Sequence, residues 1–503
     1  MSEAPFLAAP QPTRLPIRAR ARRRSRSRMS FLIGPLATPV SVFVVTLILI
    51  VAHQGKLLEV TFMPMAVAVS YWLYRRYPVH YVSMVCWLIF LTPEVRRFAD
   101  FYNGVFNQTS IIMMTPFFAA SLAGLSILNK YRYLGQRRAL PLIMMLIAIV
   151  YGYVLGVAQF GIMAATYGLI NWLQPIFIAW HLIVTWREYP TYRRVLTKTY
   201  VYGAIVMGAY GIYQYVAPPP WIAFWMAQSG MESSSGSAVP FGMRICSTMN
   251  STGPFALTMM VALLMLVSAP GKAKFFAGIV GLPSLMFTLV RTSWGGLVIG
   301  LVYPLAMLDS KSRLRLIMVG VCVVGLCAPA VMIDQVAAPL LKRLQTIQDI
   351  QNDSSFQARS GFYTNFSEIA SRSFAGHGIG STGIGAKLAA DPSQVLSVVD
   401  SGVVDVVWVL GWPGTLLYIG GVLMLLWRAF VASLLRSDDR FAVSGVGASI
   451  AILAIMVMVD TLQGSSGMLF MIGTVIPVIG LRYVRHMQRL NALSGAARAG
   501  RPS

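Results

Sequence analysis

The sequence predicts an all-α polytopic integral membrane protein of about 12–14 transmembrane helices with one large external loop. Three observations carry that expectation. Of the 503 residues 56% are hydrophobic and 12% charged, against roughly 25% charged in soluble chains, and the mean hydropathy is +0.65. Apolar segments of about spanning length recur along nearly the whole chain, and basic residues gather in alternate connections between them. An ordinary soluble enzyme is excluded. The net charge of +24 would suggest nucleic acid in a soluble protein; its distribution here points to a lipid bilayer, with no nucleic-acid partner.

The chain opens on a basic stretch, 1–30, whose arginine tract RLPIRARARRRSRSR covers 14–28. The apolar run that follows is longer than a signal-peptide core and carries no small-residue cleavage site, so the stretch reads as a retained cytoplasmic tail. An Arg-rich, acid-poor start also fits an organellar presequence or an RNA-binding arm, but Pro10, Pro12 and Pro16 work against an amphipathic helix.

Apolar segments then fall at about 31–52, 57–74, 79–93, 109–128, 140–158, 161–185, 199–217, 251–268, 275–290, 294–308 and 315–333. After the loop 334–401 come 402–427, 441–460 and 466–483, and a second basic tail occupies 485–503. With the N-terminus inside, the inner connections hold the tail arginines, Arg75 and Arg76, the groups around Arg137 and Arg193, Lys272 and Lys274, the group around Arg313, then Arg428, Arg436 and Arg440 and the C-terminal arginines. These make up about 31 of the 41 basic residues, the asymmetry expected when both termini are cytoplasmic.

Three outer connections are long: 94–108, 218–250 and above all 334–401. Loops of that length are usually functional. The last mixes Lys342, Arg343, Arg359, Arg372 and Lys387 with several acids, as expected of a folded loop. The stretch GMESSSGS at 230–237 reads as a flexible excursion.

Ionisable groups within the membrane are few. Glu59, Asp405 and Asp460 lie near outer span ends, His181 inside a span, and Arg291 between two. Without a charged relay across the bilayer, an ion-coupled transporter is disfavoured. Cys86, Cys246, Cys322 and Cys327 form neither a CxxC pair nor a cluster with histidines, so no metal, cofactor or disulfide framework is expected.

Arg291 stands in LVRTSWGGLVIGL at the expected outer surface. It suits a phosphate at headgroup depth, since its planar fork gives paired hydrogen bonds, or else it is a snorkelling residue that marks the interface. Arg359 and Arg372 are the cations of the large loop, and Arg244 is a further substrate-binding candidate in the second long connection. The run AGHGIGSTGIG offers glycines that permit close approach to a ligand or simply turn the chain. Its His377 is a substrate-binding group, a base or a structural hydrogen-bonder. Asp400 either accepts a proton from a sugar hydroxyl or caps the next helix.

In their order, these pieces resemble the O-antigen ligase and polymerase superfamily: RTSWGGLVIGL opening a span, one further span, a long loop with Arg359 and then GHGIGSTGIG, and Asp400 and Ser401 before LGWPG. The resemblance is strongest over about 250–430. It implies a GT-C-like, metal-independent glycosyltransferase of the bacterial inner membrane, with 334–401 periplasmic. The implied substrate is an undecaprenyl-diphosphate-linked oligosaccharide, with a polysaccharide chain-length regulator as a partner. Arg291, Arg359 and Asp400 would be catalytic, and Arg244, Arg372 and His377 would bind substrate. Ligases of the superfamily, which transfer polysaccharide to lipid A-core, carry a His-Asn type pair where this chain has Asp400 and Ser401. Repeat-unit polymerisation for exopolysaccharide, capsule or O-antigen is therefore expected over ligation. A lipid-linked oligosaccharide flippase would be expected to show a polar cavity across both leaflets and internal symmetry. A scaffold of a secretion complex would tolerate loss of the outer arginines.

Overall fold

The computed structural model describes residues 34–327, 334–348, 374–386 and 401–499. Among them there is no strand, only an isolated bridge between Gly236 and Met243. Each of the fourteen apolar segments falls on a helix. These are α1 Ala37–Val51, α2 Gly55–Arg76, α3 Pro78–Asn103, the broken helix α4 Ile111–Asn129, α5 Leu140–Phe160, α6 Ile162–Val184 and α7 Tyr189–Val216. After the extra short helix α8 Pro220–Ser229 come α9 Thr252–Met265, α10 Ala273–Met286, α11 Arg291–Met307, α12 Ser310–Cys327 and, within the large loop, α13 Asp334–Gln348. The last three are α14 Gly402–Leu434, α15 Arg440–Ala454 and α16 Gly464–Ala499. Among the described residues eight helices are long and apolar enough to cross a membrane, which makes the chain a multi-pass membrane protein. Leu47, Val154, Val302, Val321, Leu416 and Trp427 are exposed on these helices, the apolar outward face that a multi-pass membrane protein carries.

The first long outer connection is shorter than expected, because α3 continues through 94–103. Charges within an apolar helix end are costly unless paired, and here they are. Arg97 Nη1 donates to Glu94 at 2.7 Å and to the Ser247 carbonyl, Arg96 pairs with Asp100 at 3.1 Å, and the Arg97 guanidinium lies 4.3 Å from the Trp225 ring centroid. This buried cluster ties the 218–250 segment to α3.

Helices pack as α5 on α14, α6 on α16, α7 on α10, α11 on α15 and α15 on α16. Small residues let the backbones approach, as is usual in membranes: a Cβ on Gly445 would lie 2.9 Å from the Gly473 carbonyl oxygen, and one on Gly447 2.5 Å from that of Gly300.

α14 is kinked at Gly411, whose φ of 61° interrupts the helix ahead of Pro413. Pro413 has no N–H to give to the carbonyl four residues back, and the break turns Trp412 away from its own. The carbonyls of Trp408 and Val409 instead accept the backbone N–H groups of His377 and Gly378, both at 2.9 Å, while Trp412 N donates to Phe374. The Gly-rich segment 374–386 is thus strapped into the bundle, with Ile379 N on the Gly152 carbonyl of α5 and the short helix Gly383–Ala386 against α6. A broken helix is tolerated in a membrane when its freed groups are satisfied in this way.

Candidate functional site

Two clusters of polar groups flank one turn of the chain. The first is built on the α10–α11 junction. Leu289 adopts φ 56°, uncommon for a branched residue, and the turn is held by Thr288, whose Oγ1 donates to the Leu285 carbonyl and accepts from Val290 N. Two guanidiniums grip the carbonyls of the turn. Arg244 Nε donates to Thr288 O at 2.8 Å and Arg343 Nε to Leu289 O at 3.3 Å. Arg244 is itself fixed by backbone bonds from Arg244 N to Ser235 O and from Ile245 N to Phe287 O. Burial, and then the charge of Arg343, push the Arg244 guanidinium down to about 10. Arg291 stands two residues beyond Leu289 as the first residue of α11, so the turn gripped by two arginines leads directly into a third. Gly295 lies one turn further on the Arg291 face, and a Cβ there would meet nothing within 4 Å.

The second cluster surrounds a polar cavity of about 90 Å³ lined by Gly168, Asn171 and Trp172 of α6, Gly380, Thr382, Gly383 and Gly385 of the Gly-rich segment, Asp405 of α14, and Asp460 and Gln463 between α15 and α16. Asp405 is buried; Gln463 Nε2 and the Thr382 hydroxyl donate to its carboxylate. Asp460 stands close enough for the two carboxyls to interact, and its Oδ1 is buried with no partner among the described residues. Burial, and then Asp405, hold the Asp460 carboxyl well above the usual carboxylate range. Two carboxyls that cannot both ionise readily in one small polar cavity are a recurrent acid–base arrangement.

The turn Ile455–Val457 and the residues after it join the clusters. A Cβ on Gly296 of α11 would lie 3.0 Å from Ile455 Cγ2, and one on Gly402 of α14 would lie 2.9 Å from Met456 Cγ and 3.1 Å from Asp460 Cα. The starts of α11 and α14 therefore meet on the same short stretch.

Of the six residues expected from sequence, Arg244 is bonded to the α10–α11 turn and Arg291 opens the helix that follows it. His377 lies apart from them, stacked on Trp408 with ring centroids 3.7 Å apart and planes 8° from parallel. Burial lowers its imidazole below the ordinary histidine value, and the buried Trp408 Nε1 beside it has no partner among the described residues. Arg359, Arg372 and Asp400 lie outside the described residues. Nothing in the sequence sets Arg343 apart from the other cations of its loop. In the sequence Asp405 and Asp460 read only as acids near span ends, although an acid in the first turn of an apolar helix was the signal available for Asp405. The glycines of GHGIGSTGIG serve close packing: a Cβ on Gly378 would lie 2.2 Å from Gly156 N, and one on Gly376 2.3 Å from Gly411 N.

No protein-family model matches the chain, and no curated protein matches it in sequence.

Proposed function

We propose that this protein is a glycosyltransferase of the bacterial inner membrane that polymerises undecaprenyl-diphosphate-linked oligosaccharide repeat units on the periplasmic face. The observation that carries the reading is the grip of Arg244 and Arg343 on the Thr288–Leu289 turn that leads directly into Arg291, next to the stretch that leads to the Asp405 and Asp460 cavity. Breaking a sugar–diphosphate bond builds negative charge on the departing diphosphate, which fixed guanidiniums stabilise. The acceptor sugar hydroxyl must lose a proton as it attacks, and a carboxylate held in a small polar cavity is suited to take it. Asp405 fills that role in this reading, and Asp400, five residues earlier, remains the other candidate.

The same reading takes fourteen spans in a GT-C-like arrangement, both termini in the cytoplasm, 334–401 in the periplasm, and a chain-length regulator as partner. The open side of Gly295 gives a lipid-borne diphosphate a way to Arg291 from the bilayer. Deleting the gene is expected to abolish long polysaccharide while single lipid-linked repeats persist. Polymer of normal length that stays on its carrier and fails to reach lipid A-core would establish ligation instead, and loss of polysaccharide with the single repeats trapped on the cytoplasmic face would establish a flippase.

A further inference from the structure

A larger cavity lies far along α14 and α16 from the Asp405 and Asp460 cavity. It has a volume of about 620 Å³ and is formed where α5 begins, α6 ends and the distal halves of α14 and α16 pass each other. Its wall is graded. Ile183, Leu425, Val431, Val475 and Val478 make an apolar floor, and Arg137, Arg138, Arg428, Arg482, Arg485 and Arg489 ring the mouth, with no acidic residue in the lining. Two of the arginines build the wall: Arg428 donates to the Arg138 and Arg137 carbonyls at 2.9 and 3.2 Å, and Arg482 lies 4.3 Å from the Trp186 ring centroid. Arg137, Arg138, Arg485 and Arg489 stand exposed at the rim. Trp427, 63% exposed beside the mouth, faces outward and stacks on Phe430, the amphipathic ring expected at a membrane boundary.

We infer that this cavity binds one anionic phospholipid, its acyl chains on the apolar floor and its phosphodiester among the rim arginines. The volume falls within the range of small-molecule sites, about 300–1,000 Å³, and the floor residues Leu425, Val475 and Val478 lie earlier in the apolar runs of α14 and α16 than Arg428, Arg482, Arg485 and Arg489. Six guanidiniums from three chain segments, crowded without a carboxylate, repel one another, and an anion at the mouth relieves that repulsion. A soluble anion would leave the apolar floor without a complement, which is why the occupant is a lipid. The inference does not depend on the enzymatic reading, because the cavity shares no residue with either cluster.

The test uses the full-length protein in detergent, titrated with an equimolar mixture of phosphatidylglycerol and phosphatidylcholine and read by native mass spectrometry. Wild type is expected to retain phosphatidylglycerol in roughly tenfold preference, with one lipid bound most tightly. The double variant Arg485→Glu and Arg489→Glu, at exposed positions where folding is not at stake, is expected to bring the preference near parity. Reversal of the exposed Arg193 and Arg194 of α7, outside the cavity, is expected to leave it intact. Retained preference in the double variant, or equal loss in the α7 variant, would overturn the site. Displacement of the lipid by millimolar inorganic phosphate would overturn the lipid in favour of a soluble anion.

Discussion

Arg97 is a residue whose surroundings decide its worth. It is buried beneath Trp225, bonded to Glu94 and to the Ser247 and Met249 carbonyls, so Arg97→Met leaves the Glu94 charge without its cation, held only by Tyr210 and Trp221, and two carbonyls without their donor. The expected cost is about 3–5 kcal/mol, seen as a collapse of the thermal midpoint in detergent; a shift of only a degree or two would refute the buried-cluster account. Arg291 is a different case, being partly exposed at the start of its helix. If it grips a diphosphate, Arg291→Lys keeps the charge but loses the planar fork, and polymer yield at equal membrane abundance falls on the order of a hundredfold. An interface-marking arginine predicts near-normal yield, because lysine snorkels equally well. Asp460 adds a pH dependence. Its proton is held more tightly in the fold than in the unfolded chain, so the associated stability is complete below the ordinary carboxylate range and declines as pH climbs towards the raised folded value. Asp460→Asn is expected to flatten the fall in thermal midpoint over that window; an unaltered slope would assign it to other groups.

Glycines set how closely the elements fit. The segment 374–386 lies so tightly on α5 that a Cβ on Gly156 would come within 1.9 Å of the Ile379 carbonyl oxygen, and Gly378 adopts φ 86°. Gly378→Ala is therefore expected to cost roughly 3 kcal/mol from the left-handed backbone and the overlap together. Gly295→Ala makes no such overlap, and alanine favours a helix, so its thermal midpoint should hold or rise slightly. If Gly295 is where a lipid-borne ligand reaches Arg291, the same variant loses activity while keeping that stability. Full activity would remove this approach route.

The whole molecule sorts its charges by end. Arg137, Arg138, Arg428, Arg482, Arg485 and Arg489, all assigned to inner connections by charge bias, meet around one cavity, whereas Arg244 and Arg343 meet at the other end of α10 and α11. With Cys322 and Cys327 replaced, cysteine introduced at exposed Ser233 should react with an impermeant reagent on intact cells, and cysteine at exposed Ser437 should react only after lysis. The reverse pattern would invert the topology.

Hydropathy and charge alternation, both local along the chain, were enough to locate fourteen helical segments, because a helix satisfies its own backbone and displays its apolarity in one continuous run. RTSWGG likewise marked the start of α11 and drew attention to Arg291. The extension of α3 was not legible, since Glu94, Arg96, Arg97 and Asp100 read as loop charges until their partners are known. Nor was the pairing of Asp405 with Asp460, 55 positions apart in the numbering, or the choice of Arg343 as the companion of Arg244. Segment positions follow from each stretch's own transfer into lipid, which the sequence states residue by residue. Which charges share a site depends on how the helices pack and on backbone breaks such as Gly411, and only the tertiary structure decided those.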